Sequence, residues 1–265
     1  MINFRSYRPE NPGELNQLTA LWTQVFGDPP ALIETFYRTL PYMGSCCVAE
    51  EDGCILGMAH MLNGFTLLQP GQAPRVCGYL YAVAVSEKAR RRGLGAELSR
   101  RAAAAGRKQG AELICTLPAE EGLYGWYGRI LSLTHRCSRT VYTAPDLPKG
   151  CFRISTAEYS YYREDILFST PHVELTNAAM EFQAQLFSAY GGGLYRSEQA
   201  LFCALPEDNA WLFPELLSFA PAKDRTASPV FPSDALPDGF QALTRPYLAS
   251  DLPFPDSFLW NLTLD

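Results

Sequence analysis

The pattern of hydrophobic and polar positions changes period several times over the first 145 residues, which indicates a mixture of helices and strands. After a capping sequence at Asn11, apolar residues recur every three or four positions as far as Phe26 and predict an amphipathic helix. A second, shorter helix is predicted to follow it. Two apolar segments then flank the turn sequence Glu51-Asp52-Gly53 and predict a β-hairpin, with strands over Cys46 to Glu50 and Cys54 to Leu62.

The segment from Arg75 to Val85 is apolar at nearly every position, which is typical of a central strand that is buried on both faces. A glycine-containing turn follows, and a helix is predicted from there to about Gln109. Further apolar segments predict a strand, a helix and a strand, at residues 111–117, 120–131 and 139–143. This order of elements predicts an α/β fold with a mixed sheet over residues 1–145.

The remaining sequence is predicted to form a second, smaller domain over residues 151–265. The segment 144–150 contains two prolines and a glycine, as expected of a linker, and nine of the 20 prolines lie after residue 200. One amphipathic helix is predicted from Glu174 to Ala189. The three glycines at positions 191–193 are interpreted as a plain turn, because their flanks are not basic.

Composition indicates a folded protein. The 265 residues are 47% hydrophobic and 19% charged, which provides enough apolar surface for a substantial core. No apolar run reaches the roughly 20 residues that a membrane-spanning helix needs, and the N-terminal sequence lacks the order of a signal peptide. We therefore expect a cytoplasmic protein without a membrane partner.

The net charge of -6 argues against broad electrostatic binding to nucleic acid. The charge is unevenly distributed, however. Residues 1–150 hold 16 Lys and Arg against 13 Asp and Glu, a net charge of +3, whereas residues 151–265 hold 6 against 15, a net charge of -9. An anionic ligand is therefore expected in the first half of the chain.

The cysteines and histidines do not indicate a metal site. The eight cysteines include no CxxC pair, and several lie in apolar, strand-like segments, which favours reduced, buried thiols over disulfides or zinc. The three histidines, His60, His135 and His172, have no ligand spacing and are interpreted as ordinary polar residues. No metal cofactor is predicted.

The turn between the buried strand and the following helix carries the clearest chemistry. Gly93 and Gly95 let the backbone turn sharply, so that several main-chain N–H groups converge at the helix N-terminus and attract an anion. The preceding arginines, Arg90 to Arg92, can hold a phosphate through paired hydrogen bonds. The alternative to an anion site is that these arginines and glycines form a solvated loop at the start of a helix. The turn does not match a P-loop, which needs Lys-Ser or Lys-Thr after its last glycine, because Ala96-Glu97 follows Gly95. It does not match a dinucleotide-binding fingerprint either, because Leu98 stands where that motif needs a small residue.

This turn resembles the acyl-CoA signature of the GNAT acetyltransferase superfamily, R/Q-x-x-G-x-G/A after a strand. Arg90, Gly93 and Gly95 occupy its fixed positions. The resemblance implies a GNAT fold in which strand residues hydrogen-bond pantetheine beside a splay, while the turn holds the pyrophosphate of acetyl-CoA. The cofactor-binding residues that it implies are Val83, Ala84, Val85, Arg90, Arg91, Arg92, Gly93, Leu94, Gly95 and Ala96.

A second motif, Leu123-Tyr124-Gly125-Trp126-Tyr127-Gly128-Arg129, lies where GNAT enzymes carry an aromatic-tyrosine pair followed by a basic residue. The resemblance implies that Tyr127 is catalytic and donates a proton to the departing coenzyme A thiolate. A nearby phenol with an ordinary pKa of about 10 is able to do so. The alternative is that the three aromatic residues are half-buried side chains of an amphipathic helix.

The Tyr-Gly-Arg triplet and the acidic extension most resemble the enhanced-intracellular-survival type of GNAT protein. This implies that residues 151–265 form a degenerate GNAT-like domain without an acyl-CoA motif of its own. Ile130-Leu131-Ser132 stands where family members have a Gly-Phe or Gly-Tyr pair, a departure that bears on the acceptor pocket and on activity. In longer relatives the terminal carboxylate is the proposed base. Here that group would belong to Asp265, and no base is assigned.

Together the motifs predict an N-acetyltransferase that moves an acetyl group from acetyl-CoA to a primary amine of a small molecule or peptide, by direct attack in a ternary complex. Main-chain donors near Val83 to Val85 would polarise the thioester carbonyl. The acidic second half would favour a cationic acceptor. A coenzyme A-binding sensor or scaffold without catalysis stays open as an alternative, as does a homo-oligomer. Nucleic-acid binding through Arg90 to Arg92 is a less favoured hypothesis, because binding the phosphates of coenzyme A already accounts for these positive charges.

Overall fold

The computed structural model describes residues 1–219, 236–237, 239–255 and 258–260, which form two compact units. The first unit comprises Met1–Thr66, Arg75–Arg136 and Leu248–Pro253, and the second is built from the other described residues. Helices and a mixed sheet occur together, which confirms the α/β class. The domain boundaries at residues 145 and 151 stay a prediction. The compact units differ from them, because the long segment of the first unit stops at Arg136, residues 248–253 belong to the first unit and residues 67–74 to the second.

The first unit is built mainly from the first half of the chain. Strands β1 to β5 lie side by side in chain order, with antiparallel pairing of β1 with β2 and of β2 with β3, and parallel pairing of β4 with β5. The elements are β1 (Asn3–Ser6), α1 (Pro12–Phe26), α2 (Pro30–Thr39), β2 (Gly44–Glu51), β3 (Cys54–Leu68), β4 (Arg75–Val85), α3 (Leu94–Lys108), β5 (Leu113–Thr116) and α4 (Glu121–Leu131).

The last residues of a distant strand, β12 (Gln241–Ser250), complete this sheet beside β5. Ala249 lies opposite Thr116 in an antiparallel register. Asp251 accepts a hydrogen bond of 2.9 Å from the main-chain N–H of Ile114 and forms an ion pair with Arg107. These contacts fix the segment to β5 and to the last turn of α3.

Helix α3 approaches the sheet closely because glycines line part of their contact. A Cβ atom added at Gly106 would lie 2.7 Å from Cγ of Met61, and one added at Gly78 would lie 2.7 Å from Cδ1 of Ile114. Real Cβ atoms do not come so close to other atoms. The small residues therefore set the distance between α3 and the strands that carry the candidate site.

The second unit contains the other strands and two helices. Its strand order is β12-β6-β11-β10-β9-β7, and β11 pairs antiparallel with both β6 and β10. The elements are β6 (His135–Ala144), β7 (Phe152–Arg153), α5 (Thr156–Leu167), β8 (His172–Leu175), α6 (Asn177–Ala189), β9 (Gly193–Arg196), β10 (Ala200–Glu207) and β11 (Ala210–Ser218).

The predicted start of the amphipathic helix at Glu174 is wrong. Glu174 and Leu175 end strand β8, and the helix begins at Asn177 after Thr176, whose side-chain oxygen accepts a hydrogen bond from the N–H of Ala179. The apolar residues of β8 run directly into the helical stripe, so the sequence pattern shows no break. Gly191 adopts a φ of +82° in the turn that follows the helix.

A fully buried ion pair lies in the core of the second unit. Arg163 and Glu215 are both 0% exposed, and Nε of Arg163 is 3.0 Å from a carboxylate oxygen of Glu215. Tyr159 donates a 2.8 Å hydrogen bond to the same oxygen. The neighbouring carboxylates raise the pKa of Arg163 despite its burial, so the guanidinium stays charged and requires these partners.

Replacing Glu215 with glutamine is expected to lower the free energy of unfolding by about 3–5 kcal/mol, because it removes half of a buried pair. Glu121→Gln is the matched control, since Glu121 is 71% exposed in its ion pair with Arg136 and solvent screens that pair. Urea unfolding curves of the two variants measure the difference. Equal stability of both variants would contradict the structural importance of the buried pair.

Candidate active site

Strand β4 extends beyond its parallel neighbour at the centre of the first unit. It pairs with β5 from Cys77 to Leu80, where Leu80 lies opposite Thr116. Strand β5 ends at Thr116, whereas β4 continues to Val85. On that side, the main-chain groups of β4 after Leu80 therefore lie beyond the described ladder with β5, where the family resemblance implies a splay.

The continuation of β4 contains a β-bulge at Ala82. The φ of Ala82 is +44°, in the left-handed region that costs an L-residue roughly 1–2 kcal/mol. Leu80, Val83 and Val85 all pack against the cluster formed by helices α3 and α4. Regular alternation would place Leu80 on the opposite face from Val83 and Val85, so the bulge has shifted the alternation by one residue.

The turn after β4 presents the open N-terminus of helix α3. Arg91 and Gly93 have φ values of +63° and +77°. The first helical bond runs from the N–H of Glu97 to the carbonyl of Gly93, so the N–H groups of residues 94–96 precede the hydrogen-bond ladder. Gly93 is the N-cap and has no side chain that could cap them. These N–H groups and the helix dipole together favour an anion.

The predicted site residues differ in exposure. The side chains of Ala84 and Leu94 are buried in the core, at 2% and 3% exposure, so only their main-chain groups can face a ligand. Val83, Val85, Gly95 and Ala96 are partly buried, and Arg90, Arg91, Arg92 and Gly93 are exposed.

The structure brings the two sequence motifs together. A Cβ atom added at Gly95 would lie 3.7 Å from both Cγ2 of Val85 and the indole ring of Trp126. The rings of Trp126 and Tyr127 are 4.8 Å apart in an edge-to-face arrangement. The end of β4, the start of α3 and the aromatic pair of α4 thus meet at one place.

The three predicted phosphate-binding arginines are not equivalent. Both terminal nitrogens of Arg92 donate to Glu51 on β2, at 3.0 and 2.9 Å. This pair raises the pKa of Arg92 and lowers the pKa of Glu51. Among the described residues, Arg90 and Arg91 form no such ion pair. One of the three guanidinium groups that the sequence predicts to bind phosphate is thus already paired with a carboxylate.

Tyr127 lies in a hydrophobic cluster and contacts the last residue of β5. Its side chain is 6% exposed and hydrogen-bonds the side chain of Thr116, the last residue of β5. The Thr116 hydroxyl in turn donates a 2.8 Å hydrogen bond to the carbonyl of Leu80. Burial raises the pKa of Tyr127 to about 12, although the bond with Thr116 acts in the opposite direction. The phenol therefore keeps its proton at neutral pH.

The end of α4 bears on the departure from the Gly-Phe pair. Ser132 adopts a φ of +59°, and its N–H bonds the carbonyl of Gly128, as in a left-handed helix cap. Leu133 follows at 2% exposure in the same apolar cluster as Tyr127. Ser132 and Leu133 thus occupy a left-handed cap and an apolar anchor, positions that suit glycine and phenylalanine.

Three features of the site were not predicted from the sequence. These are the bulge at Ala82, the contact of Thr116 with Tyr127 and the pairing of Arg92 with Glu51. Asp265, whose terminal carboxylate was considered as a base, lies outside the described residues. Within the part of the chain that the structure describes, no group of three or more His, Cys, Asp or Glu side chains could hold a metal ion. No helix there is long and apolar enough to cross a membrane.

Comparison with known proteins gives a family-model match over part of the chain and a similar fold. Residues 6–129 match the family model for the acetyltransferase (GNAT) domain. No curated protein sequence gives a significant match. Among solved structures, a GCN5-related N-acetyltransferase from Kribbella flavida aligns with a TM-score of 0.67 and 14% identity, over 94% of this chain and 70% of that one.

Two further solved structures are similar over nearly the whole described length. Eis1 from Mycobacterium abscessus aligns with a TM-score of 0.64 and 13% identity, over 95% of this chain and 73% of that one. A probable N-acyltransferase from Enterococcus faecalis V583 aligns with a TM-score of 0.63 and 13% identity, over 94% and 72%. Identities this low establish a common fold and nothing finer. Residues 6–129 thus match the model of the GNAT acetyltransferase domain, and the fold of the chain is similar to that of Eis1.

Proposed function

We propose that this protein transfers an acetyl group from acetyl-CoA to a primary amine of a small molecule or peptide, by direct attack in a ternary complex. The observation that carries the proposal is the convergence of Val85, Gly95 and Trp126 beside Tyr127. Sequence motifs that are about 30 residues apart form one surface that combines anion donors with a protonated phenol.

Coenzyme A would bind along the end of β4 and the start of α3. Pantetheine amides need main-chain partners, and such groups of β4 after Leu80 lie beyond the ladder with β5. The pyrophosphate would accept hydrogen bonds from the N–H groups of residues 94–96, near the side chains of Arg90 and Arg91. Leu94 and Ala84 anchor these segments in the core.

The reaction requires a positioned proton donor. The amine nitrogen attacks the thioester carbon, the carbon–sulfur bond breaks, and the sulfur leaves as a thiolate. A thiol has a pKa of about 8.5, well below that of the buried phenol, so Tyr127 stabilises the developing thiolate as a hydrogen-bond donor rather than by lasting ionisation. The proton released by the amine ends on the sulfur, and the phenol is unchanged after turnover.

The acceptor is proposed to be cationic in its free form, because residues 151–265 carry a net charge of -9. A cytoplasmic location is proposed from composition alone.

Tyr127→Phe is expected to lower kcat about 100-fold, because loss of a general acid typically reduces the rate by that factor or more. Free thiol released from acetyl-CoA is measured with polyamines, aminoglycosides and peptides as acceptors. Tyr124→Phe removes a hydroxyl from the same helix outside the proposed site and should retain the parental kcat. A Tyr127→Phe protein as fast as the parent would remove Tyr127 from the mechanism.

Glu51→Gln is expected to tighten coenzyme A binding by a few-fold at most, because it frees Arg92 from a competing ion pair that solvent already screens. Arg92→Gln should weaken binding instead. Titration calorimetry measures both, and the difference should shrink at high ionic strength. If neither substitution changes the affinity, Arg92 does not contact the ligand.

Gly95→Trp is expected to abolish coenzyme A binding, because the indole would fill the space between Val85 and Trp126. Gly122→Trp is the matched control, since nothing lies within 4 Å of a Cβ atom at that exposed helical position. Calorimetry with coenzyme A compares the two variants. Parental protein that binds coenzyme A but acetylates no amine would favour the sensor.

A further inference from the structure

A histidine outside the proposed catalytic set lies next to the strained part of β4. His60 on β3 is 0% exposed. The rings of Trp22, Phe36 and Tyr37 surround it, with centroid distances of 5.1 to 5.5 Å. A polar ring in such an apolar setting requires partners for both nitrogens, because an unpaired buried donor or acceptor is destabilising.

The polar partners of His60 fix its tautomer. Nδ1 is 3.3 Å from the carbonyl oxygen of Tyr81, which can only accept, so Nδ1 carries the hydrogen. The backbone of Ala82 hydrogen-bonds the ring as well. Burial lowers the pKa of His60 to about 4, so the ring is neutral and Nε2 is an acceptor. Tyr37 donates to Nε2 over 3.0 Å. Cys46 hydrogen-bonds Tyr37 in turn, so an ordered chain links β2, α2, β3 and β4.

The carbonyl that His60 holds belongs to the peptide group of the bulge. The peptide bond between Tyr81 and Ala82 is trans, since the described residues contain no cis peptide. In a trans peptide the C=O and N–H point in opposite directions. With the Tyr81 carbonyl directed to His60, the N–H of Ala82 is directed away from it. The orientation of this peptide plane also determines the φ of Ala82.

The bulge needs such a restraint. A non-glycine residue with a φ of +44° persists only where surrounding contacts hold it. The bulge also determines that Val83 and Val85 face α3 and α4, and hence the direction of their main-chain groups. A regular strand would direct these groups to the opposite sides.

We propose that His60 is a positioning residue whose Nδ1–H bond to the Tyr81 carbonyl maintains the bulge at Ala82 and thereby orients the main-chain donors that polarise the thioester. The inference rests on the proposed acetyl transfer. His60 acts through the backbone of β4, and its burial excludes direct contact with substrate.

Two amide substitutions separate the contact of Nδ1 with the Tyr81 carbonyl from the contact of Nε2 with Tyr37. His60→Asn places an amide nitrogen near the position of Nδ1, from which it can donate to Tyr81. His60→Gln places its amide near the position of Nε2, from which it reaches Tyr37 and not Tyr81. Both variants bury an amide in the same aromatic surroundings, so their stabilities should be similar.

We expect His60→Gln to affect the chemical step more strongly than the binding of coenzyme A. His60→Gln should lower kcat for thiol release from acetyl-CoA about tenfold or more, because a displaced donor in the polarising site slows such reactions by that order. His60→Asn should retain most of the parental kcat. Calorimetry with coenzyme A, which has no acyl carbonyl, should show a smaller loss of affinity than of kcat for His60→Gln, because the turn and α3 still hold the phosphates.

Each outcome decides the proposal. A His60→Gln protein with parental kcat, or His60→Asn and His60→Gln proteins with equal losses, would overturn the role of His60 while leaving acetyl transfer intact. Parallel losses of kcat and of coenzyme A affinity would show general damage to the fold and would also overturn it. Parental protein that neither binds nor uses acetyl-CoA would overturn the proposed function together with this inference.

Discussion

The first unit depends on one constraint, namely that β4 is longer than the strand beside it. Over Cys77 to Leu80 it is an ordinary parallel strand of the core. Beyond Leu80 the same chain has no β5 residues opposite, yet it remains attached to β3 on its other side and to helix α3 through the turn. A strand in this position keeps its shape while offering main-chain groups that water or a ligand can satisfy.

The surroundings of this segment are rigid on one side and open on the other. Trp22, Phe36 and Tyr37 pack around His60 beneath the bulge, and none of them is more than 4% exposed. The turn at residues 90–96 is exposed over most of its length and contains two left-handed residues. Strain at Ala82 and Arg91 is therefore supported from a well-packed interior, which is the arrangement expected where a backbone must be ready for a ligand before it arrives.

Features that depend on residues close together in the sequence were predicted, whereas features that depend on contacts between distant segments were not. Helices α1, α3 and α4 follow from apolar periodicity and from caps within a few residues, and β4 was predicted with both ends at the observed residues. The bulge at Ala82 was not predictable, because a strand that is apolar at every position has no alternation to disturb. Thr116 meets Tyr127 and Leu80 only through the pairing of strands that are 36 residues apart along the chain. The glycine turn was found because its chemistry is encoded in consecutive residues.

The long sequence separation between β5 and Asp251, 137 residues from Ile114, has a consequence for how the first unit is completed. Until residues 248–253 have been synthesised, one side of β5 has no neighbour, and neither the N–H of Ile114 nor Arg107 has its carboxylate. A polypeptide released near residue 145 would keep that open edge and could recruit a strand from another molecule. Completion of this side of the sheet on the ribosome must therefore wait until residues 248–253 have emerged.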